Sequence, residues 1–500
     1  MQVAGQTRSD RFVKDELLVK FDTGYTSEAV ASVHQRFNAS VLERLGDTGW
    51  QRIRISAGQS VEKAIEQYKR FPAVVAAQPN FYYELTALPD DPQYSNAGLW
   101  GLPKISAPAA WDITTGSSTV IVAVIDTGMR LGHEDLAANL WVNSGEIANN
   151  GIDDDGNGYI DDVHGWDFRF EDSDPADQHG HGTHVSGTIG AVGNNATGIV
   201  GVNWNVRIMP IKIYSQAAND TTSAMLINAY NYVRLMKLAG HNIRVTNNSY
   251  GGCAEACGYD QATKDAIDAL GDAGVLNVFS AGNNARNTDS LPFYPGSYDS
   301  PSILNVAAST SIDSRASFSN YGFVSVDIAA PGAGIYSTTN GSNSSYGIMN
   351  GTSMAAPHVA GVAALLAAQH PSLDARSLKA TIMNNADVLP DWAGVVKSSG
   401  RLNAAAALQN PVNCTADVGP LERQIPTKGG LFKITINTQP NCDFAVKPGS
   451  RWIRVLDRSQ TSGTAVVDVF IGVNPSISRS STLEVGGQTI TLIQNRSGGK

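Results

Sequence analysis

Between Trp100 and about Pro411 the chain alternates short apolar, β-branched runs with stretches of helical period, and that alternation leaves few folds open. The runs "TVIVAVID", "VRIMPIKIY", "IRVTNNSY", "VLNVFSAG" and "ILNVAAST" are apolar at successive positions. Strands buried on both faces read that way, whereas a sheet with one wet face alternates. Between them, "TSAMLINAYNYVRLMKLAG" and "DQATKDAIDALGDAG" repeat their apolar residues at helical spacing. The pattern predicts an α/β domain with a doubly wound, mostly parallel sheet, in which ligands bind beyond the carboxyl ends of the strands.

Five hundred residues exceed one ordinary core, and the flanks read differently. Residues 1–88 carry "DELLVKF", "WQRIRIS", "SVEKAIEQYKRF" and "AVVAAQPNFYYEL", the short strands and amphipathic helices of a small α+β unit. "ALPDDPQYSNAG" follows as a linker, and the α/β domain spans 89–411. Over 412–500 helical patterning stops; "LFKITINT", "AVVDVFIGV", "STLEVGG" and "TITLIQ" predict a β-sandwich. A formal charge of −10 without basic clusters argues against nucleic acid or an anionic membrane surface as partner. No uninterrupted apolar run is long enough to span a membrane. "MQVAGQTRSDRF" lacks the apolar core of a signal peptide, so the protein is intracellular or its sequence begins after a removed signal. The cysteines fall into Cys253/Cys257 and Cys414/Cys442. "CAEAC" has no second ligand pair nearby, which favours a local disulfide over a metal site, and paired cysteines favour export; four reduced thiols are the alternative.

"NGTSMAAPHVAG", Asn350 to Gly361, opens a run of small apolar residues suited to a buried helix. Proline is tolerated in a helix's first turn, so Pro357 is expected to place the start close behind Ser353. Taken alone, Thr352 or Ser353 would be an N-cap. Two other segments change that reading. "VIVAVIDTG" ends a buried strand with Asp126, and "HGHGTHVSGT" supplies His181 between glycines at the head of a small-residue helix.

These three segments resemble the signature blocks of subtilisin-like serine proteases (subtilases) over about residues 90–410. The order Asp126, His181, Ser353 is the order known for subtilisin, and it comes from the resemblance. The chemistry explains the residue types: a serine hydroxyl is a weak nucleophile that needs a base, imidazole shuttles the proton, and a carboxylate orients the imidazole. "FSAGNN" is similar to the family's oxyanion block and nominates Asn283. "NNSYGG" resembles the strand that holds substrate backbone, which carries over Ser249, Tyr250 and Gly251; Phe293 in "LPFYPGSY" falls at the pocket base, where its ring implies a shallow pocket. His184, His358 and His133 are expected to be structural.

"NNGIDDDGNGYIDD" spaces oxygen atoms as a calcium loop does: Asp153, Asp155, Asn157, the Tyr159 carbonyl, then Asp161 or Asp162. A solvated acidic loop is the alternative. The resemblance implies a second Ca2+ site at Asp91, Asp135 and Asn195. It also implies that residues 10–85 are an inhibitory prodomain, cut between about Glu84 and Asp90. Residues 412–495 resemble a BACON domain through "CDF", "RWIRV" and "NPSISRSSTLEVGGQTITLIQ", which implies glycans as partners. "CDF" lacks the tryptophan often found there, so a structural role stands beside sugar binding. The implied function is a secreted, self-processing serine endopeptidase of broad specificity acting on protein or peptide substrates. The alternative is a carbohydrate-binding or adhesive protein on an inactive scaffold, against which the full set of nucleophile, base, acid and oxyanion asparagine stands.

Overall fold

In the strand Gly116–Asp126, Val120, Val122 and Val124 enter one hydrophobic core while Ile121, Ala123 and Ile125 enter another. Both faces of the strand are dry, which is why its sequence shows no polar alternation. The structure, a computed structural model, describes residues 12–56, 58–82, 88–95, 97–252, 258–456, 463–474 and 478–495.

Gly116–Asp126 sits inside a nine-stranded sheet. The order is Asp387–Val388, Gly400–Arg401, Ile328–Pro331, Ile303–Ser309, Leu276–Ser280, Ile243–Asn248, Gly116–Asp126, Asn205–Lys212, Trp166–Asp167. Every pairing is parallel except the first. The chain lays Asn205–Lys212 on one side of the central strand and then crosses to lay Ile243–Asn248 on the other. That reversal opens a crevice at the carboxyl ends of the two inner strands. Helices His181–Gly190 and Thr352–Gln369 cover one face, and Ser223–Leu238 with Gln261–Asp272 cover the other.

Residues Thr352 to Ala367 are all buried, so this helix is apolar all round rather than amphipathic. It begins at Thr352, which puts Pro357 one turn inside the helix instead of in its first turn. Neither Thr352 nor Ser353 is the N-cap; that position is Gly351.

The chain divides into two compact units, Met1–Thr86 and Ala87–Lys500. In the first, an antiparallel sheet ordered Ser40–Leu45, Trp50–Arg54, Phe12–Phe21, Val74–Phe81 carries helices Ser27–Arg36 and Val61–Tyr68. In the second unit, residues beyond 412 form two four-stranded sheets around one apolar core. Cys414 and Cys442 are bridged, with Cα atoms 5.5 Å apart. Cys253 and Cys257 lie outside the described residues, as does most of the expected processing segment. Among the described residues no helix is long and apolar enough to cross a membrane.

Candidate active site

Three of the expected residues stand at element ends facing the crevice. Asp126 closes the central strand and is 1% exposed. Its Oδ1 accepts the Thr127 N–H at 2.7 Å and lies 2.7 Å from His181 Nδ1. With Nδ1 donating to the carboxylate, the neutral imidazole keeps a lone pair on Nε2, the state a general base needs. His181 is the first residue of its helix. The approach needs Gly182, because a Cβ there would come 2.2 Å from the Gly128 carbonyl and 3.2 Å from Asp126 Oδ1.

A second carboxylate, Asp177, supports this pair and was not foreseen from the sequence. Its Oδ1 accepts from the His179 and Gly180 amides and from the Thr127 hydroxyl. Its Oδ2 accepts the Thr183 amide at 2.9 Å and hydroxyl at 2.6 Å. Thr127 Oγ1 in turn accepts the Gly182 amide at 2.9 Å, so Asp177 ties the strand end to the helix start. Burial works against the His181 imidazolium, but the Asp126 charge and hydrogen bond, with the Asp177 charge, outweigh it and raise its pKa above the usual imidazole value. Three other histidines each meet a backbone carbonyl. His184 Nε2 lies 3.0 Å from the Ile335 carbonyl, and burial followed by the His181 charge pushes its pKa down to about 4. His358 Nδ1 lies 2.9 Å from the Met354 carbonyl, and burial lowers it to about 4. His133 accepts the Asp135 amide at Nδ1 and meets the Ser345 carbonyl through Nε2.

Ser353 is the second residue of the helix Thr352–Gln369. Its Oγ donates to the Ser249 carbonyl at 2.9 Å, and Ser249 Oγ donates back to the Ser353 carbonyl at 2.9 Å. The second bond follows from Pro357: in a regular helix the N–H four residues on would fill the Ser353 carbonyl, and proline has none. In this resting arrangement, among the described residues, no hydrogen bond joins the Ser353 hydroxyl to His181. Catalytic hydrogen bonds are commonly long or poorly aligned in unliganded sites and tighten only when substrate binds.

Asn283 lies three residues beyond the strand Leu276–Ser280. Its Oδ1 accepts the Thr352 amide at 2.8 Å and the Thr352 hydroxyl at 3.0 Å, so it caps the serine's helix from a distant loop. The opposite end of the amide, Nδ2, lies close to the Ser353 amide nitrogen: a Cβ at Gly351 would stand 3.4 Å from the first and 3.5 Å from the second. Two N–H donors thus border one small space beside the serine, as an oxyanion requires.

Ser249, Tyr250 and Gly251 follow directly on the strand Ile243–Asn248. The Tyr250 hydroxyl turns inward to Tyr230 at 2.6 Å and Asn248 Oδ1 at 3.0 Å. The Phe293 ring fills the space where Gly251 and Gly282 lack side chains: a Cβ would meet it at 1.8 Å and 2.9 Å.

The acidic loop brings together only part of its expected set. One carboxylate oxygen each from Glu146, Asp155 and Asp162 lies within 4.8 Å of the others. Glu146, upstream of the loop, had no sequence signal. Asp153 instead accepts the Asn157 and Gly158 amides, and Asn157 Oδ1 accepts the Tyr159 amide. Burial, and to a lesser degree the Asp155 charge, push Asp162 up to about 6 despite hydrogen bonds from Tyr232, Asn143 and Asn157. At the second expected site, Asn195 Nδ2 donates to Asp135 Oδ1 at 2.9 Å and Asp91 Oδ2 accepts the Asn194 amide at 2.8 Å. Burial raises both aspartates' pKa values, and the Asp135 charge adds to the effect on Asp91.

A sequence model of the Subtilase family matches residues 117–415, and one described as Fervidolysin N-terminal prodomain matches residues 1–80. Thermitase of Thermoactinomyces vulgaris is 38% identical over 321 residues, covering 64% of this chain and 99% of thermitase. A thermophilic serine proteinase of Bacillus sp. (strain AK1) is 32% identical over 79% of this chain and 88% of its own length. An extracellular protease of Xanthomonas campestris pv. campestris is 32% identical over 70% of this chain and 62% of its own. Among solved structures, a protease of Pseudoalteromonas arctica PAMC 21717 superposes with a TM-score of 0.51 at 30% identity, over 65% of this chain and 99% of that one.

Proposed function

This chain belongs to the subtilase family, as a subtilisin-like serine endopeptidase with a prodomain, and from that premise we propose that Asp126, His181 and Ser353 form its catalytic triad in an exported, self-processing precursor. The observation that carries the reading is the 2.7 Å contact of His181 Nδ1 with Asp126, with Ser353 at a neighbouring helix N-terminus.

His181 Nε2 takes the Ser353 hydroxyl proton as Oγ attacks the peptide carbonyl carbon. The carbonyl oxygen gains the negative charge and is stabilised by Asn283 Nδ2 and the Ser353 amide, aided by the positive end of the helix. The imidazolium, stabilised by Asp126, then protonates the leaving amine, and an acyl-serine remains. Water, deprotonated by the same imidazole, releases the carboxylate product and restores the hydroxyl. The substrate is an extended segment lying beside Ser249–Gly251, where main-chain pairing demands little of its side chains. With Phe293 at its base, the pocket for the residue before the scissile bond favours small or medium apolar groups. Preferential cleavage after large aromatic residues would refute that assignment.

The prodomain acts as an intramolecular inhibitor before it is cut, in the region of Glu84–Asp90. Export is supported by the names of extracellular relatives and by the Cys414–Cys442 bridge. Ca2+ fits the converging oxygens of Glu146, Asp155 and Asp162, which have the all-oxygen character a hard cation takes, whereas at the second site, Asp91, Asp135 and Asn195, it would require the Asn195 amide, whose Nδ2 now donates to Asp135, to present its oxygen instead. Its part is structural, neutralising carboxylates that otherwise repel. The test is casein hydrolysis and fluorophosphonate labelling of wild type against Ser353→Ala, with mass measurement of the N-terminus. Loss of hydrolysis, labelling and processing together is expected. Processing that persists in Ser353→Ala would assign the cleavage to another protease.

A further inference from the structure

The helix Ala375–Asn384 presents a polar stripe at Ser377, Thr381 and Asn384, spaced by four and three residues so that it lies on one face. That face meets the chain beyond 411. Ser377 Oγ accepts the Cys414 amide at 3.0 Å, and Thr381 Oγ1 accepts the Val412 amide at 2.8 Å. Asn384 donates to the Pro440 carbonyl at 2.9 Å and accepts from Asn441 at 2.6 Å. The Cys414–Cys442 bridge packs on Ala380 of the same helix. Beside it, Lys379 has a side chain only 5% exposed. Its Nζ stands 2.7 Å from Asp443 Oδ2 and 3.5 Å from Asp327 Oδ1, and Lys397 reaches the other Asp443 oxygen at 3.3 Å. Asp443 is itself 5% exposed at its side chain and follows directly on Cys442.

We propose that the C-terminal β-sandwich is an internal clamp of the protease, docked on the helix Ala375–Asn384 through the disulfide-closed loop 414–442, with Asp443 as the charge that permits Lys379 to be covered. Burying an ammonium is costly unless it is paired, so a loop without the Asp443 carboxylate either leaves Lys379 and Lys397 without their nearest acid, with Asp327 and Asp299 remaining in the neighbourhood, or lifts off. The clamp acts on the nucleophile indirectly, because Ala375–Asn384 packs on the helix Thr352–Gln369. It makes the sandwich part of the catalytic body rather than a tethered adhesion module. The inference does not rest on the triad assignment, since its test reads the melting of the fold and not activity.

Calorimetry on Ser353→Ala protein is expected to show residues 87–500 melting in one transition. Adding Asp443→Asn, which keeps the shape and removes the charge, should lower that transition by about 5 °C or split it in two. Asp443→Glu should largely restore the single transition. Lys447→Ala, which removes the exposed pair with Asp272 at the same junction, should change little. An Asp443→Asn protein that melts like its parent, or a parent whose sandwich already melts separately, overturns the proposal. So does an Asp443→Glu protein as damaged as Asp443→Asn, since shape rather than charge would then hold the loop. An Asp443→Asn protein that fails to fold while Asp443→Glu folds supports it.

Discussion

Ser249→Ala tests whether Pro357 created the need for the hydroxyl that now fills the Ser353 carbonyl. The substitution leaves the backbone in place and removes one donor from a buried acceptor, at a cost of about 1–3 kcal/mol. Asn247 Nδ2, which donates to the same hydroxyl at 2.9 Å, loses its acceptor as well, so the upper half of that range is expected. With ~2 cal/mol/K of unfolding entropy per residue over some 400 residues, 2–3 kcal/mol lowers the melting temperature by about 2–4 °C. A second change, Pro357→Ala, supplies an N–H four residues after Ser353 and restores the regular helical bond. In the Ser249→Ala background it should recover roughly half of the loss, because the Asn247 amide stays unpaired. In the parent, where the carbonyl already has a partner, it should add little. The assay is a double-mutant cycle by thermal and urea unfolding in a His181→Ala background, which stops autolysis and keeps the Ser353 hydroxyl. A double variant no more stable than Ser249→Ala, or a neutral Ser249→Ala, would refute the reasoning.

The remaining expectations concern charge. Asp177→Asn removes a negative charge that raises the His181 pKa; since the base must be neutral, the acid limb of kcat/KM should move to lower pH while kcat falls. An unmoved limb would leave Asp177 a purely structural cap. His184 and His358 stay neutral in the fold to about pH 4, below their unfolded value near 6.5, so the unfolded chain gains protons first as pH falls. Stability should therefore drop between about pH 6.5 and 4, by roughly 3 kcal/mol for each histidine, measurable as melting temperature against pH. Chelation by EDTA should lower the melting temperature and speed autolysis, and Glu146→Gln should shrink the EDTA effect; a melting temperature indifferent to EDTA would count against both calcium sites.

Asp126, His181 and Ser353 could be read from the sequence because local strings dictate where each stands. Six apolar residues, Thr119 aside, carry the central strand up to Asp126; two glycines free the backbone around His181; and a run of small residues after Ser353 can only be a buried helix. The supports were not legible in the same way. Asp177 sits in "DPADQHG", which reads as a solvated acidic loop, and its role depends on Thr127, fifty residues away. Glu146 joins the acidic cluster only when the loop folds back over it. Lys379 looks like an ordinary surface lysine until Asp443, 64 residues on, covers it. The Pro357 expectation failed for a related reason. Local rules place a proline in the first turn, where no donor is missed, and the missing donor here is replaced by a hydroxyl 104 residues earlier.

The way the helices are capped joins these observations. Among the described helices of six residues or more, Ser27–Arg36, Val61–Tyr68, Ser223–Leu238, Gln261–Asp272, Ala375–Asn384 and Ala404–Gln409 are each capped by the side chain of their own N-cap residue: Thr26, Ser60, Thr222, Asp260, Asp374 and Asn403. The two that begin at the site, His181–Gly190 and Thr352–Gln369, have glycine at that position and no such cap. Their first amides go elsewhere, to Asp177 for Thr183 and to Asn283 for Thr352. A side chain on either N-cap residue would have to adopt a positive φ, 103° at Gly180 and 155° at Gly351, and at Gly180 its Cβ would meet Asn340 Oδ1 at 2.7 Å. Glycine takes that backbone conformation without strain, and supplying the cap from elsewhere makes each helix's position depend on a neighbouring loop. For Asn283 the dependence is double: the oxygen that accepts the Thr352 amide fixes the direction of the nitrogen on the same rigid, planar group. On the proposed mechanism, the residue that caps the helix of Ser353 would therefore also aim the oxyanion donor.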